Sequence, residues 1–188
     1  MLRFMVWNSD RRLIDNWRAF ADAAVSRHRR ERNVTTVYCI GETALPPGAS
    51  PYTHRGWTLV SLPRAEPDPR GKYAGGVAML LPPGVTVTKL TVPTPDGVEL
   101  DDLLFCSITS RGAQVVMGLM YLLPSLGISS EGWIDQLTAA RAMLCAIQDG
   151  LVKGVPNTTP VYFCGDFNLR VGDDHTSLRA GAVRGPRD

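Results

Sequence analysis

No apolar run in this sequence approaches the roughly 20 residues that a membrane-spanning helix needs. The longest, Val115–Leu123, falls far short. Met1–Trp7 is apolar but has no basic flank and breaks at Asn8, so it is not expected to act as a secretory signal. The four cysteines, Cys39, Cys106, Cys145 and Cys164, lie far apart. No CxxC pair and no Cys/His spacing is present, which argues against structural zinc. Each cysteine sits in an apolar run, so buried free thiols in a reducing, intracellular compartment are expected, the nucleus among them. Charge of one sign is also lacking. Lys and Arg number 20 against 18 Asp and Glu, a net +2 that neither demands nor forbids nucleic acid.

What is present is an ordinary globular composition. Of 188 residues, 44% are hydrophobic and 20% charged, and the 18 Gly and 14 Pro follow no period. Default disorder, collagen and coiled coil are excluded. The length predicts one domain that buries enough surface to fold without a staple.

The pattern alternates strands and helices. Leu2–Trp7 predicts a first strand. Asp10–Arg32 predicts a helix with Leu13, Trp17, Phe20, Ala24 and His28 on one stripe. Its end, residues 27–32, is rich in Arg, which suits the negative pole of the helix dipole. A nucleic-acid patch is the other reading of that run. Thr35–Ile40 predicts a second strand, and strand–helix–strand favours a right-handed crossover. Ala44–Pro51 reads as loop, and His54 falls in the same Pro-rich stretch. Gly56–Leu62 and Gly75–Leu81 predict strands, with Thr86–Val92 the antiparallel neighbour of the latter. Leu103–Thr109 and Ala113–Leu122 predict a hairpin about Arg111-Gly112. A helix capped by Ser129 or Ser130 is expected to run to Asp149 and stop at Gly150. Its buried face is expected to be Ile134, Leu137, Arg141, Leu144, Ile147 and Leu151. Pro160–Phe167 predicts a last strand. Trp57 and Trp133 are assigned to core or cover.

Three of these strands run directly into polar residues. Leu2–Trp7 leads to Asn8-Ser9-Asp10, Val37–Ile40 to Gly41-Glu42-Thr43, and Val161–Cys164 to Gly165-Asp166-Phe167-Asn168. Strands ending at one rim would bring together Asp10, Glu42 and Asp166 with the amides of Asn8 and Asn168. Oxygen-only donors suit Mg²⁺, Mn²⁺ or Ca²⁺ rather than zinc. Asn, Asp and Gly are equally at home as turn formers, so on the residues alone both readings stay open.

In order and spacing these segments resemble the exonuclease–endonuclease–phosphatase superfamily, within it the apurinic-endonuclease-like branch of non-LTR retrotransposons. "MVWNSD" (5–10) resembles a strand ending Asn-x-Asp. "VYCIGET" (37–43) resembles one ending Gln-Glu-Thr, with Gly41 in place of Gln. "KYAGGVAMLL" (72–81), "VVMGLMYLLPS" (115–125) and "VYFCGDFNLRVGDD" (161–174) resemble the Tyr-Ser-Gly-Val-Ala, Tyr-x-Pro and Gly-Asp-Phe-Asn strands.

The resemblance implies an α/β (α+β) fold, a two-sheet, four-layer sandwich with flanking helices. It implies a metal-dependent endonuclease that nicks DNA, as in retrotransposition or cleavage at abasic sites. Glu42 would be the principal Mg²⁺ (or Mn²⁺) ligand and Asp10 a second. Asn8 would orient groups at the scissile phosphate. Asp166 would position or deprotonate the attacking water, and Asn168 would hold it. Tyr121 would serve a phosphate oxygen, and Tyr73 would touch the nucleic-acid backbone.

The family pattern continues to a later Asp and a Ser-Asp-His strand, which this sequence does not contain. Asp174-His175 lies too close to Asn168 to replace it, and His28 and His54 lack the context. The expectation is therefore a domain over residues 1–174 whose second sheet lacks its C-terminal part, with 175–188 a tail or cut point. The isolated chain is expected to be weak or inactive. Its expected partners are nucleic acid, DNA rather than RNA, and a protein or downstream polypeptide covering the unfinished sheet, with no membrane. The competing reading is a catalytically silent scaffold or subunit of a larger assembly, an RNA–protein one included. A lipid or inositol phosphatase is a weaker third, because no feature marks a sugar-phosphate pocket.

Overall fold

The computed structural model describes residues 1–9, 13–31, 33–46, 48, 52–63, 75–93, 102–122 and 131–166. Strand β1 (Leu2–Asn8) leads to helix α1 (Leu13–Arg30) and returns as β2 (Thr35–Gly41), parallel to β1 along its whole length. The expected crossover unit is therefore present. β3 (Tyr52–His54) and β4 (Trp57–Leu62) pair antiparallel, and β4 pairs with β5 (Val77–Leu81), which pairs in turn with β2. The first sheet thus runs β1-β2-β5-β4-β3. The second sheet runs β6 (Val85–Leu90), β7 (Leu103–Ser110), β8 (Ala113–Tyr121), β9 (Val161–Asp166), with α2 (Glu131–Gln148) joining the parallel β8 and β9.

Side-chain alternation builds four layers. Val37 and Cys39 of β2 face the second sheet, where they meet Leu104, Cys106, Met117 and Leu119. Tyr38 and Ile40 face the other way, onto Leu13, Ala21, Ala24 and Val25 of α1. The outer face of the second sheet, with Phe105, Val116 and Met120, is covered by Trp133, Ala139, Ala140, Met143 and Ile147 of α2. Each large side chain buried this way contributes about 1.5–3 kcal/mol. No helix among the described residues is long and apolar enough to cross a membrane.

The structure corrects four expectations. First, β6 is not the neighbour of β5; it pairs with β7 in the other sheet. Pro82 and Pro83 intervene, neither able to donate a ladder hydrogen bond. The Val85 amide instead closes a turn onto the Pro82 carbonyl at 3.3 Å, and the chain changes layers there.

Second, α2 buries a different face. Ile134, Leu137 and Leu144 are 52%, 43% and 36% exposed, and Leu151 is exposed beyond the helix. The buried row is Trp133, Gln136, Ala139, Ala140, Met143 and Ile147. The stop itself is as expected. The Leu151 amide reaches the Ala146 carbonyl at 2.8 Å and the Gly150 amide reaches Ile147 at 3.0 Å. That double bond needs a left-handed residue, and Gly150 supplies it with φ 70°.

Third, His54 belongs to a strand rather than a loop. Its Nε2 lies 2.9 Å from Asp22 Oδ1, which ties β3 to α1. Fourth, Cys145 is exposed on α2, whereas Cys39 and Cys106 are buried and Cys164 is half-buried. Trp57 and Trp133 are core, as expected.

Candidate active site at the sandwich rim

The C-terminal ends of β1, β2, β8 and β9 meet at one rim. Register places Asn8 opposite Gly41, and Tyr121 opposite Asp166. β1 and β9 belong to different sheets, yet they face each other across the rim. Leu2 and Phe4 point into the space between the sheets, so Asn8, an even step further, points there too. Cys164 and Asp166 do the same from β9. The Phe4 and Tyr162 rings meet at 5.7 Å, and four residues beyond each of them the Asn8 Nδ2 donates to Asp166 Oδ2 at 3.0 Å. This hydrogen bond links residues 158 apart in sequence and orients the Asp166 carboxylate.

Gly165 makes this approach possible. Its φ is 157°, and a Cβ there would lie 1.8 Å from the Met120 carbonyl oxygen. Only glycine lets β9 lie against β8 at this point, and the Leu122 amide then donates to the Asp166 carbonyl at 2.9 Å.

Glu42 leaves β2 with φ 57°, and Ala44 follows with φ 52°. Two left-handed non-glycine residues about Thr43 are costly. Neighbouring groups hold them. The Ser9 hydroxyl donates to the Glu42 carbonyl at 2.7 Å and approaches the Gly41 carbonyl at 3.1 Å. The Thr43 and Ala44 amides donate to Gly76 and Gly75 at 3.2 and 2.9 Å. Glu42, half-buried, directly follows Gly41, the residue that pairs with Asn8.

Tyr121 is 2% exposed and packs with the inter-sheet core. A Cβ on Gly41 would sit 3.8 Å from its Cδ2, an ordinary van der Waals contact, so the ring adjoins the end of β2. Asp102, fully buried, accepts the Gly76 amide through Oδ1, and its carbonyl accepts the Tyr121 amide at 2.9 Å.

Four expected site residues, Asn8, Glu42, Tyr121 and Asp166, thus lie on adjoining strand ends. Asp10, Tyr73 and Asn168 lie outside the described residues, as do Asp174, His175 and the segment 175–188. Ser9 and Asp102 were not anticipated. Ser9 stands inside the Asn-x-Asp motif, a position that could have flagged it. Asp102 had no local signal, because its partners come from two other segments.

Beneath the rim, Cys39 is held above the usual thiol range by its hydrogen bond to Cys164 and by burial. Burial pushes Cys106 up to about 12. Neither buried thiol is poised as a nucleophile.

Among the described residues no group of three or more His, Cys, Asp or Glu side chains could hold a metal. The donors at the rim are nonetheless all oxygen: two carboxylates, an amide and a hydroxyl. That chemistry fits a hard divalent cation, and Mg²⁺ keeps most of its waters and needs only one or two carboxylates.

No protein-family model matches the sequence, and no curated protein does. Solved structures match its backbone. The human Nocturnin catalytic domain with bound sulfate is 14% identical with a TM-score of 0.54, over 89% of this chain and 64% of that one. The 3′ phosphatase NExo from Neisseria, bound to a product DNA hairpin, is 14% identical with a TM-score of 0.53, over 90% and 59%. D. rerio TDP2 complexed with a single-strand DNA product is 20% identical with a TM-score of 0.51, over 95% and 64%. These structures share the backbone fold of this chain. The chain spans about six-tenths of the length of these structures.

Proposed function

We propose that the rim is the active centre of a metal-dependent phosphodiester hydrolase that nicks DNA. The observation that carries this reading is the Asn8–Asp166 hydrogen bond, which joins the two motif strands across the sandwich beside Glu42. A buried scaffold has no use for two carboxylates raised to one rim, whereas hydrolysis of a phosphodiester needs such a set. Asp166 takes the proton of the attacking water, and Asn8 fixes the carboxylate that does so. Asn168 holds the water or the phosphate. Tyr121 anchors the rim from below and offers its phenol to a phosphate oxygen, and Tyr73 contacts the backbone of the substrate. Glu42 with Asp10 would hold Mg²⁺ or Mn²⁺, which when bound neutralises charge developing on the phosphate. The substrate class is supported by two structural neighbours whose solved complexes contain DNA.

The test is nicking of supercoiled plasmid with Mg²⁺ or Mn²⁺, beside Glu42→Ala and Asp166→Ala. Because no Ser-Asp-His motif occurs in this sequence, the rate expected of this chain is low. It should be metal-dependent and lost in both variants. No nicking above the variants, in folded protein, refutes catalysis by this chain and leaves the silent scaffold.

A further inference from the structure

Outside the rim, the molecule carries a groove of about 460 Å³ between β1 and α1. Met5, Val6 and Trp7 form one wall, Phe20 and Ala23 the other, and Arg27 and Arg30 its far end. Trp7 is 38% exposed and stacks on Phe20 at 4.7 Å. It directly precedes Asn8, so the aromatic end of the groove adjoins the rim. The helix runs antiparallel to β1, and the ten residues from Phe20 to Arg30 extend about 15 Å away from it.

We propose that this groove binds the unpaired strand of a DNA substrate, with a base stacked on Trp7 and phosphates at Arg27 and Arg30. The substrate class rests on the reading of the rim given above. The placement of the strand rests on the groove itself. An exposed indole backed by a second ring offers a base the flat apolar surface it stacks on. Arginines about two and three helical turns beyond Phe20 match the charge of the following phosphates. A nucleotide joins a flat apolar face and an anion in one unit. An apolar peptide segment would offer the Arg30 guanidinium no counter-charge. Arg27 also pairs with Glu31 at 3.3 Å, an i,i+4 contact that keeps its head at the groove end.

The test is binding of fluorescein-labelled oligo(dT) in EDTA, read by anisotropy and by tryptophan quenching. Trp57 and Trp133 are 2% exposed and Trp17 is half-buried against Tyr52 and His54, so the share of the quench due to Trp7 is read as the difference between wild type and Trp7→Phe. Trp7→Ala should weaken binding about tenfold. Trp7→Phe should keep most of the affinity and lose most of the quench. Arg27→Gln with Arg30→Gln, both on the helix surface, should reduce the salt slope by about 1.4. Binding by the wild type in EDTA is read beside its nicking in Mg²⁺, so a groove that binds in a chain that does not nick separates this proposal from the reading of the rim. Trp7→Ala and the double Arg variant binding within twofold of wild type would overturn it. So would equal competition by polyglutamate, which would mark a surface for acidic protein. Tighter binding of oligo(U) would overturn the assignment to DNA.

Discussion

Glu42 and Ala44 hold left-handed backbones at φ 57° and 52°, and replacing each with glycine measures what the site costs the fold. A non-glycine residue in this conformation costs roughly 1–2 kcal/mol. Glycine removes that cost but loses about 0.4–1 kcal/mol to the wider freedom of its unfolded chain. The difference leaves Ala44→Gly more stable than wild type by about 0.5–1 kcal/mol. Ala44 is not in the proposed machinery, and its amide bond to Gly75 survives the change. With a urea slope of about 2 kcal/mol/M, the midpoint should rise by roughly 0.3–0.5 M. Glu42 needs a two-variant comparison, because its side chain also changes. Glu42→Gly should exceed Glu42→Ala by the same 0.5–1 kcal/mol, and both should lack nicking. A fold that tolerates strain at the residue its chemistry requires would show this pattern. Urea melts in which Ala44→Gly is destabilised, or in which Glu42→Ala is the more stable of the pair, would refute the reasoning.

Other consequences follow from named contacts. Ser9→Ala removes the hydroxyl from the Glu42 carbonyl and should cost about 1–3 kcal/mol in a urea melt, with a loss of nicking that Ser9→Thr partly restores. Gly165→Ala places a Cβ against the Met120 carbonyl and should cost about 3 kcal/mol, read as a lowered Tm with β8–β9 amides exchanging faster. Asp22 is held below the usual carboxylate range chiefly by its hydrogen bond with His54, and Glu31 chiefly by Arg3. Depressed folded values give stability that is present above the unfolded carboxylate range and lost as pH falls through it. Tm should therefore drop below about pH 4.5, and Asp22→Asn should flatten the drop. A thiol reagent at neutral pH should label Cys145 first, with Cys39 and Cys106 protected until urea is added. Cys145→Ser should abolish that fast phase.

The rim was legible in the sequence because each of its strands is an apolar run that ends abruptly in polar residues. Such a boundary is a local signal, and parallel pairing of β1 with β2 and of β8 with β9 carries three of those boundaries to one edge. The left-handed turn at Glu42 was not legible. Nothing in Gly41-Glu42-Thr43 announces positive φ, because the contacts that hold it come from Ser9, Gly75 and Gly76. Asp102 was hidden for the same reason. β3 was missed because three residues are too few for a period to show.

Helix α2 marks where periodicity itself stops deciding. Two rows one residue apart, Ile134-Leu137-Leu144 and Trp133-Ala140-Met143, are both apolar, and Ile147 serves either. Counting apolar residues favours the first row, which is richer in leucine. The sheet chose the second. Phe105 and Phe163 stack at 5.7 Å on the face that α2 covers, and that raised surface admits a helix only where its own side chains are small. Ala139 and Ala140 meet that condition, and Trp133 and Met143 fill the space on either side. The choice is thus made by the shape of a sheet assembled from residues far away in sequence. An apolar stripe names the faces a helix can bury, and the opposing surface selects among them.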